Sequence, residues 1–220
     1  MSSVRVYLAR PVPASDVDAL LDADDRAMLT AVPHAGLHAQ RATARALLRS
    51  ALAEELGTDE VRVDRACLTC GGPHGKPIVR DQSIHVSVAH TDGLVLVAVS
   101  NDAELGIDVE ALSAFASNDI DRAALTPVEA LAVAALPPQH RAAERARLWT
   151  RKEAVAKVSG IGLRVDPRVD QKTDCAQVHD LDVGPGFAAS LAIATSAHVD
   201  VQFSDASLPT WVAAARTTTA

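Results

Sequence analysis

Asp108 and Glu110 stand two residues apart in Leu105-Gly-Ile-Asp-Val-Glu110, while Glu153 and Lys157 stand four apart in Arg147-Leu-Trp-Thr-Arg-Lys-Glu-Ala-Val-Ala-Lys157. On a strand, a spacing of two puts both carboxylates on one face, where they repel unless solvated or bound to a cation. On a helix, a spacing of four aligns Trp149, Glu153 and Lys157 along one side. Gathered round one point, Asp108, Glu110 and Glu153 make an all-oxygen set suited to Mg2+, with positions left for water and phosphate oxygens. Lys157 is placed to meet charge developing on a phosphate or to donate a proton. The chemistry indicated is a metal-assisted reaction at a polyphosphate. Taken alone, E-x-x-x-K is more often a surface ion pair under a buried tryptophan. The second acidic pair argues for the functional reading.

Cationic groups elsewhere could supply a pocket for further phosphates. Arg41, Arg45 and Arg49 recur every four residues. Their bland reading is a solvated face pairing with Glu54 or Glu55, but three like charges in a row also favour an anion. Cys67-Leu-Thr-Cys-Gly-Gly-Pro-His-Gly-Lys-Pro77 is a loop by its glycine and proline content, and it presents Lys76. Cys67-x-x-Cys70 with His74 invites a zinc reading. A structural site wants four ligands, however, and Cys175 is about a hundred residues away, so the glycine-bent loop is the preferred reading. His90 closes an alternating run, Ile84 to His90, before the turn Thr91-Asp-Gly93, and is a candidate ligand contact. His85 falls on the other face by parity.

The elements that must position these groups are legible from period and punctuation. Val4–Leu8, Val61–Val63, Ile84–His90, Leu94–Val99, Leu105–Val109, Gln177–Val183, Phe187–Thr195 and Val199–Phe203 read as strands. Asp16–Leu29 and His38–Leu56 read as helices, the second with Leu47, Leu48, Leu52 and Leu56 as its stripe and Gly57 as its stop. Thr126-Pro-Val-Glu129 is a capping box opening a helix to Ala135. The helix carrying Glu153 follows Pro137-Pro138 and stops at Gly160 and Gly162. The tail Arg216–Ala220 is expected to be disordered. These elements give an α+β fold, with an expected division into residues 1–104 and 105–220.

Bulk properties narrow the class. A chain of 220 residues with 48% hydrophobic residues can bury a substantial core, and with 3% aromatics that core is alanine, valine and leucine. A net charge of -7 argues against a nucleic-acid partner, which would call for a basic face. Three cysteines fit a reduced, cytoplasmic protein rather than a disulfide framework. No secretory leader opens the chain and no apolar run approaches a membrane span.

Gly75-Lys-Pro77, Val86-Ser-Val-Ala-His-Thr-Asp-Gly93, Gly106-Ile-Asp-Val-Glu110 and the run from Trp149 to Leu163 occur in an order and spacing that resemble the Sfp-type 4'-phosphopantetheinyl transferases. The resemblance covers roughly Gly75 to Leu163. It implies two similar α+β halves related by a pseudo-twofold, with coenzyme A and Mg2+ bound in the cleft between them in a single chain, so a monomer is expected. The implied reaction moves the phosphopantetheine arm of coenzyme A to a serine of an apo acyl or peptidyl carrier protein and releases 3',5'-ADP. By position, Asp108, Glu110 and Glu153 would hold the metal, Glu153 would be the base, and Lys157 would stabilise the leaving phosphate. Lys76, His90 and Lys152 would contact phosphates, with His90 at the 3'-phosphate. Family members often carry serine where this chain has Ala89, and some carry paired lysines where Asp24–Met28 offers only Arg26; Arg41 and Arg49 are inferred to take over the 3'-phosphate. Two other classes fit the same residues: a Mg2+-dependent phosphodiesterase or nuclease, and a binding module for coenzyme A or a carrier without turnover.

Overall fold

The computed structural model describes residues 2–67, 69–160, 166–168 and 177–205. They form two compact units, one from Ser2–Asp102 together with the segment starting at His198, the other from Ala103–Ala197.

In the first unit, β1 (Ser2–Ala9) is followed by the short α1 (Ala14–Val17), α2 (Ala23–Thr30) and the 22-residue α3 (Ala35–Leu56). The single helix expected over Asp16–Leu29 is broken because Asp22 acts as a cap, its Oδ1 accepting from the Asp25 N–H at 2.7 Å. Leu47, Leu48 and Leu52 of α3 are fully buried, as the leucine stripe requires, and Gly57 ends the helix in the left-handed region at φ 66°. β2 (Val63–Asp64) and β3 (Ile78–Val79) pair antiparallel and bracket the cysteine loop. β4 (His85–Thr91) and β5 (Leu94–Ser100) form the expected hairpin through Asp92-Gly93, where Gly93 has φ 88°. Val95, Val97 and Val99 of β5 share one core with Tyr7, Val86 and the α3 leucines.

The second unit has β6 (Leu105–Ala111), α4 (Asp119–Ala124), α5 (Pro127–Ala135), the 22-residue α6 (Pro138–Ser159), β7 (Gln177–Leu181) and β8 (Phe187–Ile193). Its antiparallel sheet runs β6-β8-β7. Both hydrogen bonds of the Thr126/Glu129 capping box are present at α5. Pro138 begins α6 and Gly160, at φ 70°, ends it. Gly162 and Leu163, Cys175 and the Arg216–Ala220 tail lie outside the described residues. Ala154, Val155 and Ala192 form a small core beneath α6.

One grouping differs from the expectation. β9 (Val199–Asp205), assigned by sequence to the second half, pairs parallel with β1 over seven residues, so the first sheet runs β4-β5-β1-β9. Strand partners are set by long-range pairing, which local alternation does not reveal. Among the described residues no helix is long and apolar enough to cross a membrane.

Candidate active site

The site is built where α6 crosses β6. Gly106 makes the crossing possible: a Cβ there would lie 2.0 Å from the Ala154 carbonyl oxygen and 2.9 Å from the Lys157 Cβ. With strand and helix this close, Lys157 Nζ donates to Asp108 Oδ1 at 2.7 Å and to the Ile107 carbonyl at 3.0 Å. One end of the helix face is fixed by Trp149, whose Nε1 donates to Glu110 Oε1 at 3.2 Å. Glu153 lies between, half-buried, with no hydrogen bond or ion pair among the described residues. The three positions of the helical stripe therefore address one strand: Trp149 to Glu110, Lys157 to Asp108, and Glu153 in between.

Electrostatics mark this as a place short of positive charge. Asp108 is only 6% exposed, and its Oδ2 is buried with no hydrogen-bond partner. Burial pushes its carboxyl up from the usual range, against the pull of Lys157. The Glu153 carboxyl is also raised, first by burial and then by the charge of Asp108, with Glu110 adding to it and Lys157 opposing. A carboxylate oxygen and a neighbouring carboxylate that both lack partners among the described residues fit a hard divalent cation. The ligand-capable oxygens of Asp108, Glu110 and Glu153 do not all fall within 4.8 Å of one another; among the described residues that spacing is met by Cys67, Cys70 and His74.

Lys152 precedes Glu153 on α6. It is buried, and its Nζ donates to the Ala124 carbonyl at 2.8 Å, Glu129 Oε2 at 2.6 Å and the Pro167 carbonyl at 2.7 Å. All three N–H groups are engaged within the protein, so the phosphate contact expected of Lys152 would have to replace one of these bonds. Burial works against ionisation of Glu129, but the Lys152 bond outweighs it and lowers that carboxyl. The capping-box glutamate thus has a second partner that its motif did not announce.

The arginine stripe finds its anions inside the first unit. Arg45 donates to Asp25 Oδ1 at 2.6 Å, and Arg49 reaches both Asp25 and Asp22. Burial of Asp25 is overcome by Arg49 and Arg45, and its carboxyl is lowered. Glu54 and Glu55, the local partners considered for the stripe, bind Arg5 instead, and Glu55 also accepts from Tyr7. Arg26 is held by Asp18. Arg41 is exposed on α3. Lys76 is half-buried in the loop between β2 and β3, and His90 stands opposite Val95 at the end of β4.

Sequence reasoning did not single out the polar row beside the site. Asp108, Ser190 and Asp180 are aligned across β6, β8 and β7. Ser190 is hydrogen-bonded to Thr150 at 2.9 Å, and Asp180 pairs with Arg151 at 2.9 Å. Thr150 precedes Arg151 and falls four residues before Ala154, so a helical register extended to the sheet side would have pointed to it.

Residues 104–215 match the profile of the 4'-phosphopantetheinyl transferase superfamily. The chain is also similar to the 4'-phosphopantetheinyl transferase HetI of Nostoc sp., with 32% identity over 136 residues. That alignment covers 57% of this chain and 54% of the relative, so the match spans about half the length of HetI. A profile match across half of the chain, containing both the β6 acids and the α6 stripe, shows that the protein belongs to the 4'-phosphopantetheinyl transferase superfamily.

Proposed function

We propose that the protein transfers the 4'-phosphopantetheine arm of coenzyme A to a serine hydroxyl of an apo acyl or peptidyl carrier protein, releasing 3',5'-ADP. The observation carrying this reading is the pairing of an Asp108 Oδ2 orphaned among the described residues with a raised Glu153 that has no hydrogen bond or ion pair among them, next to a lysine. Asp108, Glu110 and Glu153 would hold Mg2+, which when bound supplies charge neutralisation on the pyrophosphate. Glu153, with its pKa moved toward the working range, takes the proton of the serine hydroxyl. The serine oxygen forms a bond to the pantetheine-side phosphorus as the phosphoanhydride bond breaks, and 3',5'-ADP leaves with the electron pair. Lys157, anchored on Asp108, meets the charge on that leaving phosphate.

Lys76, His90 and the exposed Arg41 are the nucleotide contacts this reading favours. Arg49 could serve only by exchanging Asp22 or Asp25 for a phosphate. The carriers would be those of fatty-acid, polyketide or nonribosomal peptide assembly, and the enzyme would work as a cytoplasmic monomer.

Incubation with coenzyme A, Mg2+ and an apo carrier tests this by intact mass. A carrier heavier by one phosphopantetheine, with loss of that gain when its serine is replaced, is the expected result. Free phosphopantetheine with an unchanged carrier would instead establish hydrolysis, and an unaltered coenzyme A pool would leave only a binding module.

A further inference from the structure

The loop Cys67–Pro77 is folded around three side chains that the transferase reading does not use. Cys67 Sγ, Cys70 Sγ and a ring nitrogen of His74 all lie within 4.8 Å of one another, and Cys70 Sγ stands 3.0 Å from His74 Nε2. A tetrahedral ion with bonds of about 2.3 Å to sulfur and about 2.0 Å to nitrogen spaces its ligand atoms about 3.5–3.8 Å apart, so small side-chain adjustments would accommodate it. Both cysteines are free thiols, Cys70 exposed and Cys67 half-buried.

The backbone is wound to hold that geometry. The Gly71 N–H donates to the Cys67 carbonyl at 2.8 Å, and the Cys67 N–H donates to the Gly72 carbonyl at 2.7 Å. Gly71 takes φ 69°, which a side chain would resist. The N–H groups of Cys70 and Thr69 face the Cys67 sulfur. Gly75 then passes so close to the preceding strand end that a Cβ would lie 2.6 Å from the Ala66 carbonyl oxygen. Its N–H donates to Arg65 at 2.7 Å and closes the loop.

We propose that Cys67, Cys70 and His74 bind a thiophilic divalent cation of the Zn2+ class, with solvent in the fourth position. Soft sulfur ligands separate this site chemically from the all-oxygen acidic site, which would take a hard cation. The ion would cross-link the turn from which Lys76 emerges. Binding itself does not depend on the transferase reading.

Co2+ titration of the reduced full chain tests it, because cobalt bound by thiolates shows a charge-transfer band that oxygen ligation does not. One equivalent of Co2+ producing such a band, bleached by equimolar Zn2+, is expected. The band should vanish in C67S/C70S and weaken in H74A, yet persist in D108N/E153Q. That last variant separates this site from the acidic one, and circular dichroism of C67S/C70S checks that the fold survives. No band in the wild-type protein would overturn the proposal. So would a band that survives C67S/C70S but is lost in C175S, or bound Zn2+ undiminished in C67S/C70S.

Discussion

Glu153 is a carboxyl kept half-buried beside two other carboxylates, with Lys157 as the nearby cation. Its folded pKa lies above its unfolded one, so its stabilising contribution is complete below the ordinary glutamate range and is lost as pH rises through the raised value. Glu153→Gln should therefore be more stable than the wild type at neutral pH in Mg2+-free buffer, by about 1 kcal/mol as for other relieved active-site residues. Thermal melts across pH check this: the two proteins should converge on acidification, and a constant gap would contradict it. The same variant should lose transfer while retaining coenzyme A binding. Mg2+ should restore the balance, raising wild-type stability by about 2.7 kcal/mol at a hundredfold excess over its Kd and raising that of E153Q by less. Lys152 makes the opposite case. Lys152→Met strands Glu129 and two carbonyls, so a loss of about 3 kcal/mol in denaturant unfolding is expected. Coenzyme A affinity of the folded fraction should stay unchanged if these bonds are the role of Lys152, and a selective loss of affinity would instead support the phosphate contact.

At the scale of elements, the meeting of α6 and β6 rests on one missing side chain. Gly106→Ala puts a methyl into the helix backbone at Ala154, and overpacking of this kind should cost at least about 2 kcal/mol and reduce Lys157–Asp108 pairing. Urea unfolding together with activity at saturating substrate tests both effects. The strand and helix bearing the site were legible because periods of two and four leave a mark in the sequence, and Gly57, Gly160 and Thr126 gave clear boundaries. The arginine stripe was only half legible. Its spacing fixed which side chains share a face, but its anions come from Asp22 and Asp25, a turn and a helix away in the chain. The cysteine loop lacks a fourth ligand in its sequence, and spacing alone does not show how a turn gathers three ligand atoms. Lys152 read like its neighbours Arg151 and Glu153 because nothing in a helical stripe reports which flank is enclosed.

At the scale of the whole molecule, each unit rests a 22-residue helix on a sheet, α3 in the first and α6 in the second. The first sheet is finished by β9, whose seven backbone pairings cover the outer side of β1. Ending the chain after Ala197 should leave the amides of β1 open along that side. Hydrogen exchange should then show faster labelling of Ser2–Leu8, with Leu105–Ala111 of the contiguous second unit protected as before.

The parallel pairing of β1 with β9 also sets a schedule for biosynthesis. The stretch from Ala103 to Ala197 is translated in one piece and holds every strand and helix of its unit, so it is complete as soon as it clears the ribosome. β1, although among the first residues made, must wait for a partner nearly two hundred residues behind it. During that delay its unclaimed edge is the place where a chaperone, or a neighbouring nascent chain, would attach.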